Sequence, residues 1–144
     1  MLISVNQWPI KKTVAEPKYK HGEITSQIIN AAYEVHGILG QGFLEKVYQN
    51  ALAHRLRKKG LPVDKKVPVK VRDEDGTVVG DYEADLLVKE CVLIEVKAVK
   101  RIVAEHKAQV LNYLKATGIQ VGLLTNFGSY RFEMRRFVYS FDLY

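Results

Sequence analysis

Apolar and polar positions recur with two different periods along this chain, and the changes of period divide it into elements. Ile24, Ile28, Ala31, Ala32, Val35 and Leu39 return every three or four residues, which predicts a helix over Glu23–Leu39. Gly40-Gln41-Gly42 breaks it. Leu44, Val47, Tyr48, Ala51, Leu52 and Leu56 make a second stripe, predicting a helix from Phe43 to Lys59 that Gly60 ends. The period then shortens to two. Val67, Val69 and Val71 alternate with Lys66, Pro68, Lys70 and Arg72, the pattern of a half-exposed strand near a sheet edge, where Pro68 can be tolerated. Asp73-Glu74-Asp75-Gly76 predicts a hairpin turn, Thr77–Val88 the returning strand, Lys89-Glu90 a second turn and Cys91–Val99 a third strand. Helical spacing resumes over Val103–Thr117 with Val103, Val110, Leu111 and Leu114, and Gly118 stops it. Val121–Asn126 reads as a short buried strand and Arg131–Val138 as a last, more exposed one. The order α-α-β-β-β-α-β-β predicts a single α/β sandwich with a mixed sheet. Met1–Lys20, which contains Trp8-Pro9 and Pro17, has no clear period. It reads as an extension, an arm that packs on the body or on a partner chain.

Composition narrows the class. At 144 residues, 47% hydrophobic and 26% charged, the chain fits one soluble globular domain with room for a real core. Its one cysteine, Cys91, excludes an internal disulfide and suits a reducing compartment. No apolar run approaches the ~20 residues of a membrane span, and no signal-peptide pattern opens the chain, so the cytoplasm is the expected location. The net charge of +6 favours polyanionic partners. The bases cluster as Arg55, Arg57, Lys58 and Lys59, then Lys65, Lys66 and Lys70, then Lys97, Lys100, Arg101 and Lys107, and finally Arg131, Arg135 and Arg136. Solvated helix faces and a nucleic-acid surface both account for such clusters. Glu45, Asp85 and Glu95, by contrast, are expected in apolar surroundings, a buried acidic centre inside a basic rim.

The candidate chemistry lies where the strand pattern is violated. Val92–Val99 is almost continuously apolar, yet it carries Glu95 and Lys97. Ionisable groups in a buried strand are costly unless compensated, and their i, i+2 spacing points both to one face. The preceding strand carries Asp85. Two carboxylates on adjacent strands suit a hard divalent cation such as Mg²⁺, and Lys97 could offset charge on a phosphate or orient an attacking hydroxide. An internal Glu95–Lys97 salt bridge is the plain alternative. Glu45 and Tyr48, at i and i+3, share a helical face; Glu45 is either a third ligand or a first-turn acid favoured by the helix dipole. Tyr48 is more often core. His106, Gln109 and Tyr113 form a polar seam on the helix after Glu95-Val96-Lys97. Such a seam could reach phosphate, whereas a lone histidine there is usually a surface residue. The remaining histidines show no zinc-ligand spacing.

With these residues named, the chain resembles the GxxExxY proteins, a branch of the PD-(D/E)XK nuclease superfamily, from His21 to about Val138. Gly42, Glu45 and Tyr48 match the motif of the name, preceded by Glu34-Val35-His36. Ala84-Asp85-Leu86-Leu87-Val88 matches the acidic strand, Glu95-Val96-Lys97-Ala98 the D/E-x-K element, His106, Gln109 and Tyr113 the helix motif, and Asn126-Phe127-Gly128 the Asn-Phe turn. Ala84 replaces the proline of the superfamily name, and Glu83 stands where a base is often found. The resemblance implies a restriction-endonuclease-like domain over residues 21–144 and a Mg²⁺- or Mn²⁺-dependent nuclease acting on DNA ahead of RNA. It implies metal at Asp85, Glu95, Glu45 and the Val96 carbonyl, and catalysis by Lys97 with Asp85 and Glu95. Substrate would be positioned by His106, Gln109, Tyr113 and Tyr48, and nucleic acid held by Lys100, Arg101 and Lys107. A homo-oligomer is left open. The rival expectation is a catalytically silent nucleic-acid-binding or assembly module that keeps the fold.

Overall fold

The structure is a computed structural model and describes residues 2–7 and 20–140. Its elements are β1 (Leu2–Gln7), α1 (Gly22–Leu39), α2 (Glu45–Lys58), β2 (Val63–Arg72), β3 (Val78–Val88), β4 (Val92–Lys97), α3 (Ala104–Thr117), β5 (Val121–Asn126) and β6 (Glu133–Ser140). The six strands form one sheet in the order β1-β6-β5-β4-β3-β2. Only β4 and β5 are parallel, joined across α3, and every other pairing is antiparallel. Among the described residues no helix is long and apolar enough to cross a membrane.

Helices cover both faces. On one, Ile28, Ala32 and Val35 of α1 and Leu52 and Leu56 of α2 pack against Leu86, Val88, Val92, Ile94, Val96, Val121 and Leu123. On the other, Val110, Tyr113 and Leu114 of α3 meet Val69, Ala84, Leu93, Leu124, Phe137 and Tyr139. β4 and β5 are therefore buried on both sides, which is why they read as continuous apolar runs.

The expected elements are present, with three differences. β2 begins at Val63, four residues before the alternation in the sequence, because Asp64, Lys65 and Lys66 are exposed on an edge strand and leave no apolar trace. β6 is more buried than expected. Residues 2–7, the start of the expected arm, pair with Ser140 to Arg135 and turn β6 from an edge into an interior strand. Most of the remaining arm lies outside the described residues. Third, several bases expected on a polyanion surface are already engaged. Arg55 and Lys59 pair with Glu34, Lys70 pairs with Asp81, and Arg57 donates to the Val63 carbonyl. Arg136 is buried and donates to the Lys20 carbonyl.

Candidate active site

β3 and β4 hydrogen-bond as a ladder only from Val88–Val92 to Leu86–Ile94. Beyond that the two strands part, and two carboxyl groups fill the opening. The Asp85 backbone N–H donates to Glu95 Oε1 at 3.0 Å, and the Val96 N–H donates to Asp85 Oδ2 at 2.7 Å. Each carboxyl group thus replaces a carbonyl of the missing ladder, satisfying backbone donors that would otherwise be orphaned. On the far side of β3 the pairing with β2 is also interrupted. Lys65 faces Leu86 and Val67 faces Ala84, but Lys66, left-handed at φ 58°, does not pair with Asp85. The strand is freed on both edges at the position of its acid.

Leu93 packs toward α3 while Ile94 and Val96 pack toward α1 and α2. Strand alternation then sends Glu95 and Lys97 to the α3 side. Glu95 is only 3% exposed, and Asp85 is partly buried. Burial, followed by repulsion from Asp85, pushes the Glu95 carboxyl up to about 8. Burial also raises Asp85, with Glu45 adding repulsion, while the Val96 N–H and Lys97 pull it the other way. Two desolvated, mutually repelling carboxyl groups need a proton or a cation between them. Hard oxygen donors of this kind fit a divalent metal. Lys97 is partly buried at the end of β4 and forms no ion pair with Glu95; the ion pairs among the described residues lie elsewhere. The Lys97 charge still lowers both carboxyl groups, so it acts on the pair at longer range and not as a contact salt bridge.

The other expected site residues divide. Glu45 is exposed at the start of α2, and not in the apolar surroundings expected, yet it acts on Asp85 electrostatically. Among the described residues no three His, Cys, Asp or Glu side chains come together as a ready-made metal cluster. Val96 contributes its N–H to Asp85. Tyr48 does not reach the site as a substrate-positioning group. It is fully buried, stacks on Phe127 with ring centroids 4.9 Å apart, and its hydroxyl binds the Gly40 carbonyl and the Phe43 N–H. That fixes the loop carrying Gly42. His106 is likewise occupied locally: its Nδ1 accepts the Val103 N–H at 3.1 Å and caps α3. Val103 has no polar side chain to return the bond. Gln109 donates to the Tyr113 hydroxyl at 3.1 Å, and burial with the charges of Glu95 and Asp85 raises Tyr113. This seam does face the carboxylates. Lys100 and Arg101 are exposed on the loop before α3 and Lys107 is partly buried, all on the side where β4 ends. Glu83 is exposed and is not among the charges acting on Asp85.

Asn126, quoted in the sequence only as part of a motif, is a positioning residue. It is fully buried, and its Oδ1 accepts the N–H groups of Val99 at 2.9 Å and Gly128 at 3.0 Å, while its Nδ2 donates to Glu133. The Phe127 N–H donates to the Lys97 carbonyl at 2.8 Å. Together they clamp the chain immediately after Lys97. Gln49 on α2 donates to the Asp85 carbonyl at 3.2 Å, another contact that the sequence does not announce.

The chain and its fold have known counterparts. Residues 22–137 fit the model of the PD-(D/E)XK nuclease superfamily. The chain belongs to that superfamily. Asp85 and Glu95-Val96-Lys97 lie within the matched residues, at the divergence of two adjacent strands. The fold is also that of the crystal structure of SSO0001, to which the chain is 19% identical, with a TM-score of 0.53. The match covers 94% of this chain and 64% of that one, so the chain spans a little under two thirds of that protein's length. No curated protein is significantly similar in sequence.

One consequence can be measured without substrate. Glu95 is raised from its usual 4.5 to about 8 on folding, so the native state favours its protonated form. Its contribution to stability is complete below about pH 4.5 and is lost as pH rises through 8. Metal-free protein in chelator should therefore be less stable at pH 9 than at pH 6, by on the order of a few kcal/mol of unfolding free energy, and melt correspondingly lower. Glu95→Gln, which is permanently neutral, should flatten the dependence. An unchanged slope in that variant would mean that the carboxyl pair does not carry the strain.

Proposed function

We propose that the protein is a Mg²⁺- or Mn²⁺-dependent phosphodiesterase of the cytoplasm, of the GxxExxY branch, that cleaves nucleic acid, DNA ahead of RNA. The observation that carries the reading is the Asp85–Glu95 pair at the parting of β3 and β4, with the Lys97 ammonium group two residues on, acting on both carboxyl groups electrostatically but making no ion-pair contact with either. A structural role would pair Lys97 with Glu95. Asp85 and Glu95 would hold the cation, with Glu45 reaching in from α2 through its own side chain or a water. When bound, the cation supplies a more acidic water and offsets charge on the phosphate. Lys97 then donates to the phosphodiester oxygen that gains charge, Tyr113 and Gln109 orient the backbone, and the Asn126 clamp holds Lys97 in place. Lys100, Arg101 and Lys107 attract the polyanion, in a manner that weakens steeply with salt.

Two measurements test this. Mg²⁺ or Mn²⁺ should raise the melting temperature, because a ligand selective for the native state stabilises by mass action, and Asp85→Asn should erase the shift. Cleavage of plasmid or of single-stranded DNA should require the metal and vanish with chelator. A melting curve that metal leaves unmoved, together with nicking that chelator does not stop, would overturn the assignment. Metal binding without cleavage of either plasmid or single-stranded DNA would favour the silent binding module.

A further inference from the structure

We propose that the nuclease takes its substrate as a single strand, with one unpaired base stacked on Tyr82 in a cleft beside the carboxylates; this rests on the function proposed above. The cleft has a volume of about 740 Å³ and lies between α3 and the β2–β3 hairpin. Small-ligand sites run to roughly 300–1,000 Å³, so it admits a nucleotide or two and not a duplex. Tyr82 and Tyr113 form its aromatic wall, with ring centroids 6.0 Å apart and planes inclined by 43°. Tyr113 lines the cleft and is close enough to Glu95 and Asp85 to feel their charge, which places the cleft beside the candidate active site.

The exposure of Tyr82 is what points to a base. The residue is 53% exposed although it sits in the middle of a strand. One edge leans over Gly80, where an added Cβ would stand 3.1 Å from Tyr82 Cε2. The rest of the ring faces the cleft. Gln109 and Asn112 offer amide donors and acceptors along one wall, and Arg72 and Lys115 bring positive charge to a rim that also carries Glu105 and the Lys70–Asp81 pair. Aromatic faces with basic edges are how single strands are held without sequence readout, since every base has a π-face. A second cleft, on the α2 side of the sheet, is lined by Glu45, Lys46, Gln49, Asn50, Lys65 and Lys66 and has no aromatic residue.

The test uses the full chain with Ca²⁺ in place of Mg²⁺ to hold cutting back. Affinities would be measured by fluorescence anisotropy for a 12-nucleotide single strand and for the blunt duplex of the same sequence. The expected result is tighter binding of the single strand. Tyr82→Ala should lose about 5-fold or more of that affinity, the lower end of what one base–aromatic stack supplies, while duplex affinity stays unchanged. Tyr82→Phe should bind as wild type. Tyr82→Leu, which still covers Gly80, should behave as Tyr82→Ala, separating stacking from a packing role. A 2-aminopurine in the strand should be quenched by wild type and Tyr82→Phe and not by Tyr82→Leu. Equal losses on single strand and duplex, or a Tyr82→Ala variant that binds as wild type, overturn the single-strand inference alone. Failure of the wild-type protein to bind or cut any nucleic acid overturns it together with the proposed function.

Discussion

Lys97→Ala is expected to remain folded and to retain its metal, while phosphodiester cleavage falls by about 10²–10³-fold. The electrostatic argument sets the size. A preorganised donor aimed at developing charge is typically worth ~10²–10³ in rate, because it acts in the transition state and needs no reorganisation. The structure sets the stability side. Removing one partner of a buried ion pair costs about 3–5 kcal/mol by stranding the other charge, but Lys97 makes no ion pair with Glu95. Glu95 is already accommodated through the Asp85 N–H. The melting temperature of the metal-bound variant should therefore stay close to wild type, with a change of about 1 kcal/mol or less. Melting and single-turnover cleavage on the same preparation give the answer. A stable Lys97→Ala protein that cuts at the wild-type rate would remove Lys97 from the chemistry, and an unfolded one would make it structural after all.

Gly128→Ala is expected to be the most damaging single methyl group in the site's surroundings. An added Cβ would overlap the Ala98 carbonyl carbon and the Val99 nitrogen and stand 2.6 Å from the Val99 oxygen. All three are backbone atoms, so no side chain can rotate away. Overpacking usually costs about 1–3 kcal/mol and occasionally more. Here the upper end applies, a fall in melting temperature of at least ~6 °C for a chain of this length. Activity should drop further than stability explains. The strained contact is with the residues directly after Lys97, and a displacement of about 1 Å can cost 10²-fold in rate. Gly37→Ala is the control: it lies within α1, and a Cβ there meets nothing within 4 Å. That change should be neutral or slightly stabilising, because alanine is the better helix former. If both variants melted alike, the close approach of the two loops would not be what glycine is needed for.

Much of the fold is legible in periodicity alone. β5 falls on the expected residues, and the three helices lie within two residues of their expected ends, because buried stripes and bounding glycines are local features of the chain. The acid of β3 and the Glu95–Lys97 pair were legible for the opposite reason: they violate an apolar strand pattern that packing would otherwise maintain. Glu45 was misjudged in its burial. At the first position of α2 it stands 300° of rotation from Tyr48, at the border of the stripe, and the loop before it leaves that border in solvent. His106 and Tyr48 share helical faces with site residues, but their polar atoms are taken by Val103, Gly40 and Phe43 backbone groups. A face predicted from spacing says nothing about which hydrogen bond a side chain finds first.

By itself, then, the sequence determined the element order, the two-sided burial of β4 and β5, and the identity of the ionisable groups set into the sheet. These depend on neighbours within about a turn or a strand length, where side-chain period and backbone geometry are directly linked. Only the tertiary structure decided where β3 and β4 part, that Asp85 and Glu95 exchange backbone donors across the gap, and that Asn126 holds the chain after Lys97. It alone decided that residues 2–7 close the sheet beside β6. These contacts join segments from 10 to more than 130 positions apart. Their partners are set by how the whole sheet and its two helical layers pack, and no local pattern in the chain records that choice.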